Sequence, residues 1–242
     1  MELEQRTFQI DGQWSIVYYP EQPSGFSVMV IGDRSHFVEK DSSFWLQHPG
    51  RLRILEYLKE CGYTLFSSNF HGASWGSPKA LDLSLKLYIL FIKKEIVNQR
   101  IHVLAEGTGA LLALRLMNEL GSKIRSVVLI DPVFSLKAQL EKEKENKFFY
   151  KKWLTEVSAA YEMNPAECEQ HILDSEDPLI EENIPVKVIQ VFGSLRKEQA
   201  SFYRKIQLAR KADLQLAYLL PEKRYKIPYQ IQKFFNENEE SL

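Results

Sequence analysis

Short apolar runs alternate with amphipathic ones along most of the chain. Arg6 to Ile10 and Trp14 to Tyr19 alternate in polarity on either side of Asp11-Gly12, which predicts a β-hairpin. Phe26 to Ile31 is an apolar strand that ends at Gly32. A helix is predicted from Phe44 to Glu60, closed by Cys61-Gly62. Tyr63 to Ser68 reads as a strand, followed by a glycine-rich loop and a helix from Leu81 to Val97. That helix is expected to bury Leu85, Ile89, Ile92 and Ile96 on one face. Strand Ile101–Ala105, helix Gly109–Leu120 with its stop at Gly121, and strand Arg125–Asp131 come next. Strand Val186–Phe192, helix Glu198–Arg210, strand Leu214–Leu219 and helix Ile227–Phe235 complete the pattern. Apolar strands in alternation with helices predict an α/β fold, a mostly parallel sheet covered on both faces.

One segment breaks the alternation. From Phe134 to Pro178 the chain reads as helices of mixed charge, with Glu141-Lys142-Glu143-Lys144-Glu145 as a solvated face. Its place between two strands predicts a helical cap insertion, roughly residues 134–178, over the carboxyl edge of the sheet. Trp153, Tyr161 and Met163 either face a pocket there or pack the cap onto the core.

Composition narrows the class. At 242 residues the chain is long enough for a sizeable core, and residues 1–242 are read as a single domain. Lys and Arg number 31 against 32 Asp and Glu, so the net charge is 31 − 32 = −1. A nucleic-acid binder would carry a basic surplus, so no nucleic-acid partner is expected. The 45% hydrophobic content excludes global disorder. Cys61 and Cys168 lie far apart without metal-ligand spacing, so reduced thiols and no metal are expected. Met1 to Arg6 has no basic start leading into an apolar stretch, hence no signal peptide is read there. The densest apolar stretch, Leu85 to Ile92, is interrupted by Lys86 and stopped by Lys93-Lys94. It falls short of the ~20 residues that span a membrane. The expected location is cytoplasmic.

Ligands of parallel sheets sit at the carboxyl ends of the strands. There, Ile101–Ala105 runs through Glu106-Gly107-Thr108-Gly109-Ala110 into a helix, and the small residues Ala105, Gly107, Gly109 and Ala110 permit a sharp turn. This stretch resembles the nucleophile elbow of the α/β-hydrolase superfamily, with Gly107 where the nucleophile belongs. The resemblance covers nearly the whole chain. Val28 to Asp33 resembles the strand that ends in the oxyanion loop. Glu60 to Leu65 resembles the Gly-Tyr feature before the next strand, and Asn69 to Ser77 the loop that follows it. Val128 to Pro132 resembles the strand after the elbow helix, and Ile184 to Gly193 the strand that delivers the acid. The resemblance implies an α/β-hydrolase fold.

It also implies a Ser-His-acid triad, and the chain departs from it at all three positions. Gly107 has no side chain to attack with, Arg196 stands at the acid position, and no histidine lies beyond His171. Substitutes are few. Thr108 sits one residue past the apex, and His71 and Ser74 lie on a loop bordering the expected pocket. Glu106 and Asp131 end central strands. His102 begins a strand at the wrong end of the sheet, and His36 and His48 are assigned no role. The glycine-rich elbow lacks the spacing of a phosphate loop or a dinucleotide fold, so no cofactor is expected.

Three functions follow from these residues. The first is a non-catalytic binder of a small apolar or acyl-like ligand or of a protein partner. Its pocket would be lined by Gly32, Asp33, His71, Glu106, Gly107, Thr108 and Asp131, with backbone N–H groups near Gly32 and Thr108 as an anion-binding corner. The second is an esterase-like hydrolase using Thr108 or Ser74 with His71. The third is a scaffold, subunit or homo-oligomer with a vestigial pocket, favoured by exposed apolar surface at Phe148-Phe149-Tyr150 or from Tyr225 to Phe235.

Overall fold

The apolar runs pair into one eight-stranded sheet of order β1-β2-β4-β3-β5-β6-β7-β8. The computed structural model describes residues 4–175, 183–193 and 214–239. β1 (Gln5–Ile10) and β2 (Gln13–Tyr18) form the predicted hairpin, and β2 pairs antiparallel with β4 (Thr64–Ser68). All other neighbours are parallel: β4 with β3 (Ser27–Ile31), then β5 (Ile101–Glu106), β6 (Ile124–Ile130), β7 (Val186–Val191) and β8 (Leu214–Leu219). Every residue of β3, β5, β6 and β7 is buried, as expected of strands covered on both faces.

Successive side chains enter opposite layers. Val103 and Leu129 join a cluster with α3 (Pro78–Lys94) and α4 (Gly109–Leu120). Leu104 and Val128 join a cluster with α2 (Pro49–Glu60) and the C-terminal helix α8 (Ile227–Glu237). The predicted helix from Phe44 to Glu60 is two helices, α1 (Phe44–Gln47) and α2, parted at His48. The cause is Pro49, which pushes the residue before it out of the helical region; His48 has ψ 115°.

The buried face of α3 also differs from expectation. It presents Leu83, Leu87 and Phe91 to the sheet, with Phe91 stacked on Phe66 at 3.8 Å. Small Ala80 and Ser84 on that face admit close packing. Leu85 and Ile92 of the expected face pack half-buried against the same cluster, but Ile89 is 49% exposed, and Ile96 is 99% exposed because the helix has already ended at Lys94. The predicted helix Glu198–Arg210, the acid position Arg196 and the end of the predicted cap beyond Ser175 lie outside the described residues.

Between β6 and β7 run α5 (Leu136–Lys144), α6 (Lys147–Tyr161) and α7 (Pro165–Asp174). They share a third apolar cluster with Trp75 and Leu111, in which Trp153 packs edge-on to Trp75 at 5.7 Å. Trp153 is therefore a packing residue, 2% exposed. Phe148 and Phe149 at the start of α6 remain 73% and 56% exposed. No helix among the described residues is long and apolar enough to cross a membrane.

Candidate functional site

The strand-to-helix turn after β5 has the geometry of an elbow. Gly107 stands at φ +57°, its N–H donates to the Ile130 carbonyl at 2.9 Å, and its carbonyl accepts from Val133 N at 2.9 Å. Gly109 opens α4 against the end of β3; a Cβ there would lie 2.5 Å from the Gly32 oxygen. The tight approach of β3 to α4 thus requires glycine at position 109.

The same approach brings Asp33 onto the apex. Asp33 Oδ1 accepts hydrogen bonds from Thr108 N at 2.9 Å, from Thr108 Oγ1 at 2.7 Å and from Arg34 N at 2.8 Å. A Cβ added to Gly107 would meet Asp33 Cγ at 2.4 Å and both carboxylate oxygens within 2.7 Å. The Asp33 carboxylate therefore fills the space that a nucleophilic side chain at residue 107 would need. It also takes the Thr108 N–H, so the expected anion-binding corner is occupied by the protein's own anion. A carboxylate is well placed there, because a helix N-terminus favours negative charge.

The seven expected lining residues do not form one pocket. Gly32, Asp33 and Ser74 border a cavity of about 20 Å³, room for about one water. Glu106 and Asp131 border a separate cavity of about 240 Å³, walled by Arg51, Ile54, Arg224, Tyr225 and Pro228. Gly107 and Thr108 line neither. His71 lies on the left-handed run Phe70-His71-Gly72 and borders none of these spaces. Burial lowers its pKa, with help from Lys79.

Local bonding accounts for each charged residue. Glu106, 7% exposed, is paired with Arg51, whose Nε donates to Oε2 at 3.1 Å and whose Nη2 donates to Oε1. These bonds hold the Arg51 guanidinium above its ordinary pKa. Asp131 Oδ1 accepts from Gln190 Nε2 at 2.7 Å and Val191 N at 2.8 Å, tying the ends of β6 and β7 together. No histidine among the described residues hydrogen-bonds to Thr108 or Ser74. Among the described residues there is also no cluster of His, Cys, Asp and Glu placed to hold a metal ion.

His36 is the residue that the sequence did not single out. Its ring lies under Gly32, where a Cβ would come within 2.4 Å, and stacks on Phe44 at 4.0 Å. Trp45 Nε1 donates to its Nδ1 at 3.1 Å, which leaves the proton on Nε2. Burial pushes its pKa down to about 4. A ring with one nitrogen capped and the other protonated is a packing element rather than a base. The only signal for it in the sequence is the aromatic spacing of His36, Phe44 and Trp45.

A second histidine is held neutral in the same way. His102 is fully buried, and its Nδ1 bonds to Ser126 Oγ at 2.8 Å. Burial lowers its pKa and outweighs Glu239, 3.5 Å from Nε2. Both rings bind protons less readily in the folded chain than in the unfolded one, whose histidines titrate near ~6.5. Stability is therefore expected to fall as pH drops from about 6.5 toward 4, because the unfolded state takes up more protons. Urea midpoints at pH 7 and pH 5 check this, and His36→Asn should flatten part of the slope. An unchanged midpoint would contradict neutral buried rings.

No protein-family model matches the chain, and no curated protein matches it in sequence. Solved structures do match the fold. Est1E from Butyrivibrio proteoclasticus is similar with a TM-score of 0.63 and 13% identity, over 97% of this chain and 98% of that one. An esterase from Pyrococcus furiosus is similar with a TM-score of 0.65 and 15% identity, over 97% and 91%. An α/β hydrolase from the metagenome of lagoon sediments at Mar Chica, Morocco, is similar with a TM-score of 0.56 and 12% identity, over 96% and 98%. The fold is the α/β-hydrolase fold, over essentially the full chain.

Proposed function

We propose that this protein is a non-catalytic form of the α/β-hydrolase fold, a binder of a small ligand rather than a cleaver of esters. One observation carries the reading: the Asp33 carboxylate, not a substrate oxygen, occupies the elbow and accepts the Thr108 N–H at 2.9 Å. An ester carbonyl would have to displace a covalently tethered anion to reach that donor. Thr108, the nearest hydroxyl, spends its proton on the same carboxylate at 2.7 Å and has no histidine to activate it. The partner-binding reading keeps two supporting features, the exposed Phe148–Phe149 pair and the exposed Tyr225 and Tyr229.

Turnover of short- and medium-chain p-nitrophenyl esters tests the proposal. The wild type, Thr108→Ala and His71→Ala are expected to match the buffer blank. Turnover above the blank that disappears in either variant would establish the hydrolase alternative and end this reading.

A further inference from the structure

A cavity of about 250 Å³ lies between α4, the Trp75-Gly76 turn and the inserted helices. It does not touch Gly107 or Thr108. Its walls are of two kinds. Trp75, Leu111 and Ile172 make an apolar side, while Arg115, Lys137 and Tyr161 supply polar groups. Among the described residues no carboxylate lines it. The 240 Å³ cavity differs in this respect, since Glu106 and Asp131 border it and Glu106 neutralises Arg51.

The two cations are positioned but not neutralised. Arg115 Nη1 donates to the Gly76 carbonyl at 2.5 Å, and Lys137 Nζ donates to the Leu173 carbonyl at 3.1 Å. Neither has an acidic partner among the described residues. Tyr161 Oη is held by the Trp75 carbonyl at 3.1 Å. Lys137 stands in the first turn of α5, whose N-terminus adds positive potential on the same side. Held cations facing an apolar wall match a ligand with an anionic head and a short apolar tail.

We infer that this cavity binds a small amphipathic anion, its head between Arg115 and Lys137 and its tail against Trp75, Leu111 and Ile172. The inference rests on the binding-protein reading only in giving that protein its ligand. Carboxylates and phosphomonoesters share the required chemistry.

Isothermal titration of the full chain with hexanoate, hexyl phosphate and neutral hexanol tests it. At least one anion is expected to bind saturably at one site, and hexanol at least about tenfold more weakly. Shortening hexanoate to butanoate should weaken binding about fifteenfold, about fourfold for each buried methylene. Arg115→Gln and Lys137→Ala should each cost about tenfold or more. If Arg115→Gln fails to fold, Lys137→Ala decides alone, since that side chain is exposed on α5. The tighter of the two anions identifies the head group. No saturable binding of either anion at millimolar concentration, hexanol binding as tightly, or unchanged affinity in the folded variants would overturn the inference. Ester cleavage with intact hexanoate binding would overturn only the non-catalytic reading, and a flat titration without ester cleavage only this one.

Discussion

Gly107→Ser is expected to lose about 2–5 kcal/mol of stability and to gain no ester turnover. Two costs add. A non-glycine residue at φ +57° is strained by about 1–2 kcal/mol. Crowding its Cβ into the Asp33 carboxylate, 2.4 Å away, adds about 1–3 kcal/mol, the usual range for overpacking. The second cost belongs to the pair, so it can be isolated. Asp33→Ala removes all three atoms nearest the new Cβ. The double variant Gly107→Ser/Asp33→Ala should therefore be more stable than the sum of the single changes by about 1–3 kcal/mol. Chemical denaturation of the four proteins measures that coupling. Additive single changes would mean that Asp33 does not occupy the apex. Ester turnover should stay at the blank even in the double variant, because a serine without a histidine remains a weak nucleophile.

That cycle turns on a contact that no local pattern discloses. The sheet was legible because each strand is a separate apolar run, and the runs of β5, β6 and β7 need burial on both faces. The glycine at the turn after β5 was equally legible, since Gly107 can be read from the elbow spacing alone. What fills its place was not. Asp33 and Thr108 are 75 residues apart, and their hydrogen bond exists only because glycine at 109 lets β3 and α4 approach closely. The split of the expected pocket has the same origin. Gly32 with Asp33 and Glu106 with Asp131 all end strands at one sheet edge, but the Asp33 side chain and the Arg51–Glu106 pair fill the ground between them with bonded groups. The α3 face was legible only in part: Leu85 and Ile92 pack against the core, while Ile89 and Ile96 do not. The neighbouring face, where small Ala80 and Ser84 stand beside Leu83, Leu87 and Phe91, gives the closer fit to the sheet. The 250 Å³ cavity joins residues from five separate stretches of chain, and only the folded arrangement brings Arg115 to Lys137.

The Arg51–Glu106 pair braces the ground beside the elbow. Glu106 directly precedes Gly107, and its side chain is 9% exposed with one guanidinium bound across both carboxylate oxygens. Arg51→Met removes the cation and strands the carboxylate in a buried site. Breaking a fully buried pair in this way costs about 3–5 kcal/mol; the Arg51 side chain is 30% exposed, so water relieves part of it and about 2–4 kcal/mol is expected. Glu106→Gln leaves a neutral amide that can still accept from Arg51, and should cost less, about 1 kcal/mol. Replacing both partners, Arg51→Met with Glu106→Leu, should bring stability back to within about 1 kcal/mol of wild type, because two apolar groups carry no desolvation penalty. Urea midpoints of the three variants, compared at equal slope, give the test. If Arg51→Met were as stable as wild type, Glu106 would not depend on its partner, and the pair would have to be read as a site held open for a ligand. A large single-variant loss recovered in the double variant identifies a strut. Glu106, directly before Gly107, then serves to lock α2 to the end of β5.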